Sequence, residues 1–130
     1  MTRAGYSYCD NSDYIRWRGE VASAVLGERG QTFLRELIAA LDALPQKRLI
    51  KRELWNGEVC ALGAVAVARG MDVITLDTED NRGIAKLFGI SDHLVMEIEF
   101  ENDEALAYYS PEERWYWMRE WAVRHLRDEP

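Results

Sequence analysis

The feature that most restricts what this chain can become is a leucine stripe cut off by a proline. Leu34, Leu37, Ile38, Leu41 and Leu44 recur at three- and four-residue intervals, Arg35, Glu36 and Asp42 lie off the stripe, and Pro45 follows at once. That spacing puts the apolar side chains on one face of an α-helix, and the face must be buried. A proline pushes the residue before it out of helical geometry, so the helix ends there. Upstream, Tyr14, Trp17, Val21 and Val25 repeat the pattern with Arg16, Arg18 and Glu20 between them, and Asn11, Ser12 or Asp13 can cap that segment. A short break, Gly27-Glu28-Arg29-Gly30, separates the two segments, which together predict an αα-hairpin.

The rest of the chain reads as further helices with clear punctuation. Residues 46 to 57 read as helix through Leu49, Ile50 and Leu54, with a β alternative of two strands around the Asn56-Gly57 turn. Glu58 to Arg69 continues as a small-residue helix stopped by Gly70. Asp77 or Thr78 can cap a helix running to about Phe88 and closed by Gly89, and Ser91 can start another carrying His93, Leu94, Val95, Ile98 and Phe100. Ser110-Pro111-Glu112-Glu113 opens the last helix, to about Arg127, with an N-cap serine, a first-turn proline and a capping-box glutamate. The expectation is a mainly α protein, a compact single-domain bundle of about five to six helices, with a short β-hairpin near 48–61 as the alternative. Residues 1–12 read as a loose arm and 13–130 as one helical domain, without repeats or low-complexity tracts.

Composition sets the function classes that fit. The chain is 130 residues long and 48% hydrophobic, enough for one packed core and too short for two comfortable ones. Its two cysteines, Cys9 and Cys60, are fewer than a disulfide-stapled secreted domain would carry, which points to a reducing cytoplasm. No signal peptide is visible at Met1-Thr2-Arg3-Ala4-Gly5, and the apolar run from Val59 to Ala68 is too short to span a bilayer. A formal net charge of −7 speaks against nonspecific nucleic-acid binding, which rests on Lys and Arg displacing counterions. Tyr14-Ile15-Arg16-Trp17-Arg18 mixes aromatic and basic residues in the manner of a nucleic-acid contact, but within an acidic chain.

No catalytic motif stands out. Cys9, Cys60, His93 and His125 share no metal-site spacing, so neither a metal nor a cofactor is expected; Cys60 reads as a small buried residue, and His125 suits a helix C-terminus. Two groupings draw attention. Glu97, Glu101 and Glu104 fall at i, i+4, i+7, beside Glu99, Asn102 and Asp103. The commonest use of such a run is a solvated helix face; the alternatives are a contact surface for a basic partner, or a divalent-metal or acid–base site. Five tryptophans are many for this length, and Trp115, Trp117 and Trp121 crowd one helix with Tyr116. A stripe of Trp115, Met118, Ala122 and Leu126 can face the core, leaving Trp117 and Trp121 to pack elsewhere in the domain or to meet a partner, with Arg114, Arg119 and Arg124 as a cationic rim.

Several segments together carry a resemblance: Arg16-Trp17-Arg18-Gly19 through Val21-Ala22-Ser23-Ala24, Gly30-Gln31 through Phe33-Leu34-Arg35-Glu36-Leu37, and Glu58-Val59-Cys60-Ala61-Leu62-Gly63-Ala64. Leu87-Phe88-Gly89-Ile90, Glu101-Asn102-Asp103-Glu104 and Pro111-Glu112-Glu113-Arg114-Trp115 extend it over roughly residues 14 to 126. The chain resembles a group of small uncharacterised bacteriophage and prophage proteins. The resemblance implies a bacterial cytoplasm and a protein that acts by binding, and it transfers no catalytic residue. The expected function is therefore a non-enzymatic interaction protein that binds a host or phage protein, with Trp117, Trp121, Glu97, Glu101 and Glu104 as contact candidates. The alternatives are a small metal-dependent enzyme using the carboxylates at 97–104, or a nucleic-acid-binding or nucleic-acid-mimicking protein.

Overall fold

The computed structural model describes residues 11–51, 58–71, 80–104 and 109–127. They form six α-helices: α1 (Asn11–Leu26), α2 (Glu28–Ala43), α3 (Ala61–Ala68), α4 (Asn81–Phe88), α5 (Asp92–Glu99) and α6 (Pro111–Arg124). A π-helical turn, Phe100–Glu104, extends α5. Among the described residues there is no strand, and the protein is a mainly α bundle. The loose-arm reading of residues 1–12 falls almost wholly outside the described residues, which open with α1 at Asn11.

The leucine stripe organises the packing. Phe33, Leu34, Leu37 and Leu41 of α2 are buried, each contributing about 1.5–3 kcal/mol through burial. α2 ends as the proline requires, with Leu44 extended at ψ 135°, and the Lys47 ammonium donates to the Asp42 and Leu44 carbonyls left over at that end. α2 packs against α1, α3 and α6, while α5 packs against α1, α3, α4 and the π turn. α3 thus lies between α2 and α5. Its residues Ala61 to Ala66 are all buried, and the small ones, Ala61, Gly63, Ala64 and Ala66, let neighbours approach closely.

The break between α1 and α2 is narrower than the sequence predicts. Only Gly27 leaves the helix, and Gly30 is buried inside α2. A Cβ at Gly30 would stand 1.9 Å from the Ala24 carbonyl oxygen, so the first turn of α2 sits directly against the last turn of α1. Gln31, 1% exposed, completes the junction. Its Nε2 donates to the carbonyls of Val25 (2.8 Å) and His125 (2.9 Å), and its Oε1 accepts from the backbone N–H of Arg127 (2.7 Å).

Residues 46–51 are not helical, contrary to the helix expected over 46–57; residues 52–57, with the Asn56-Gly57 turn, lie outside the described residues. Leu49 is buried and its N–H donates to the Pro111 carbonyl (3.0 Å), while Ile50 N–H donates to the Val59 carbonyl (3.0 Å). These long-range bonds replace the intrahelical ones. The Arg114 guanidinium, 4% exposed, fixes the segment from the other side by donating to the carbonyls of Leu49 and Tyr109 (3.1 Å each). Helix α3 starts at Ala61 rather than Glu58, with Cys60 as an extended N-cap residue. The stops at Gly70 and Gly89 hold, both at positive φ (75° and 76°). α4 is capped by Asp80, which accepts from Gly83 N–H (3.0 Å); the cap expected at Asp77 or Thr78 lies outside the described residues. Ser91 caps α5 through Leu94 N–H (3.1 Å), and Ser110 and Glu113 form the capping box of α6. The Ser110 backbone N–H and hydroxyl beside Glu113 hold its carboxyl below the usual range. α6 ends at Arg124, three residues short of the expected Arg127.

Candidate functional site

The acidic run that reads as a solvated face is largely buried. Glu97, Glu99 and Glu101 are 3%, 5% and 8% exposed. A buried carboxylate needs a counter-charge or hydrogen-bond donors, and distant parts of the chain supply them. Arg18 of α1 reaches Glu97 (Nη1 to Oε1, 3.3 Å), and the Trp117 indole N–H of α6 donates to Glu101 Oε1 (3.2 Å). The π turn brings Asn102, 2% exposed, into the same layer. Its Oδ1 accepts from Ala61 N–H at the first turn of α3 (3.2 Å), and its Nδ2 donates to the Ile50 carbonyl (3.0 Å) and to Asp103 Oδ1 (2.6 Å). Cys60 makes no side-chain cap, so Asn102 serves a backbone donor that α3 leaves open. Burial pushes the Cys60 thiol up to about 11, with the charges of Asp103 and Glu99 adding to the rise against hydrogen bonds from the Gly63 and Leu62 backbone. A thiol held so is inert at neutral pH.

The tryptophans of α6 divide differently from the expected stripe. Its buried positions are Arg114, Met118, Trp121 and Ala122; Trp115 and Leu126 are half-buried. Trp121 is 3% exposed, with its ring 4.9 Å from that of His125, so it belongs to the core and presents no contact surface. Trp115 donates its indole N–H to the Leu41 carbonyl (2.9 Å). Trp117 stays half-buried at the edge of the bundle, tethered to Glu101 and covered by the Arg124 guanidinium 4.7 Å above its ring. Its neighbour Tyr116 is 63% exposed. Of the five contact candidates, the fold brings Glu101 and Trp117 together, assigns Glu97 to Arg18 and Trp121 to the interior, and leaves the Glu104 side chain outside the described residues. Tyr116 lies outside those five candidates, although its place between two tryptophans and off the apolar stripe marks it for the surface.

The Arg16-Trp17-Arg18 segment does not form one exposed aromatic–basic patch. Trp17 is half-buried with its ring 5.0 Å from His93, and Arg18 turns to Glu97. An open groove of about 460 Å³ runs between α1 and the start of α5, lined by Arg16, Glu20, Ser23, Ser91 and His93 among others. The His93 ring nitrogens face different carboxylates, Nε2 to Glu20 of α1 and Nδ1 to Asp92 (3.4 Å), so the ring ties two helices and offers no convergent ligand set. Among the described residues no three His, Cys, Asp or Glu side chains gather to hold a metal ion, and no helix is long and apolar enough to cross a membrane. No family model, curated protein or solved structure matches the chain.

Proposed function

We propose that this chain is a small interaction protein that works by binding another protein, with Tyr116, Trp117 and Arg124 at the edge of α6 as its contact residues. One observation carries the reading. Tyr116 is 63% exposed beside a tryptophan that is held at the surface by Glu101 and stacked under Arg124. Tyr, Trp and Arg are the residues that most often dominate the energetics of protein interfaces. The Glu101 bond fixes the indole before binding, and the Arg124 stack fixes a guanidinium, so little side-chain freedom is left to lose on association. The buried pairing of Glu97 and Glu101 supports a structural use of the acidic run over a metal-dependent one. The resemblance to small phage proteins supports a host or phage protein as partner and a bacterial cytoplasm as setting.

Affinity capture from a bacterial lysate tests the reading with the wild type beside Tyr116→Ala and Arg124→Ala. A specific partner retained by the wild type and lost from both variants, at unchanged helix content, is the expected result. Capture of nothing specific, or of a partner indifferent to both substitutions, refutes it.

A further inference from the structure

We draw no further inference here: the strongest candidate, the cavity of about 220 Å³ where the N-terminal turns of α2 and α5 meet, rests on two helix N-termini alone, because none of its polar side chains (Ser23, Glu28, Arg29 and Ser91) is buried.

Discussion

Substituting Gly30 by alanine tests the α1–α2 junction, because two effects of opposite sign compete there. In an ordinary helix interior, alanine in place of glycine stabilises by about 0.5–1 kcal/mol. Gly30 is not ordinary. A Cβ built on it lies 1.9 Å from the Ala24 carbonyl oxygen, 2.9 Å from that of Val25 and 3.0 Å from the Ala24 carbonyl carbon. Contact distance is about 3.5 Å, so the last turn of α1 must retreat by about 1.5 Å. All three atoms are backbone, and no side-chain rotation can relieve the overlap. Overpacking of this kind costs about 1–3 kcal/mol. The retreat also stretches the bond from Gln31 to the Val25 carbonyl, at about 1 kcal/mol more. Less the helix-propensity gain, the expected loss is about 1–3.5 kcal/mol, which lowers the urea midpoint by about 0.5–2 M at an m-value of about 2 kcal/mol per M. The control is Gly19→Ala: a Cβ there meets nothing within 4 Å, so that variant should rise by about 0.5–1 kcal/mol. Urea unfolding followed by circular dichroism at 222 nm reads both. A Gly30→Ala protein as stable as the wild type refutes the close approach of the two helices.

Three further outcomes follow from the same geometry. Asn102→Ala leaves Ala61 N–H and the Ile50 carbonyl without their buried partner, and should lower stability by about 2–3 kcal/mol in the same urea assay; a loss under half of that would show that Asn102 does not pin α3. With Cys9 replaced by serine, Cys60 should resist iodoacetamide at pH 8 in the native protein and react only on unfolding, since its thiol is pushed up to about 11. The Arg119 guanidinium hydrogen-bonded to Asp42 holds that carboxyl below its ordinary 3.8, so the pair's stabilisation is present above that value and lost as pH falls through the depressed one. Asp42 is about half exposed, so Asp42→Asn should cost under about 1 kcal/mol at pH 7, and the gap from wild type should close in strong acid.

What could be read from the residues alone was the local grammar. The leucine stripe of α2, the Pro45 stop, the Ser91 cap, the Ser110–Glu113 box and the Gly70 and Gly89 ends all depend on neighbours within one or two turns, and each appears where its residues stand. What could not be read depends on residues far away in the chain. Glu97 looks like a solvated carboxylate until Arg18, 79 positions earlier, is laid beside it. Leu49 and Ile50 fit a helix by spacing, but the backbones of Pro111 and Val59 claim their N–H groups first. The phase of α6 shows the same limit. Met118 and Ala122 of the expected stripe are buried, but Trp121 joins them in the core while Trp115 stays half-buried with its indole N–H on the Leu41 carbonyl of α2.

Gln31 has a consequence for the order of folding. Its side chain binds the end of α1 and residues 94 and 96 positions further on, His125 and Arg127. The α1–α2 pair is therefore incomplete until nearly a hundred more residues have been made, and a contact so distant closes late. An early hairpin with an unfilled amide socket has little reason to persist alone. The opening and closing of this protein should thus be a single event, with the ends of the described chain giving way together rather than one after the other.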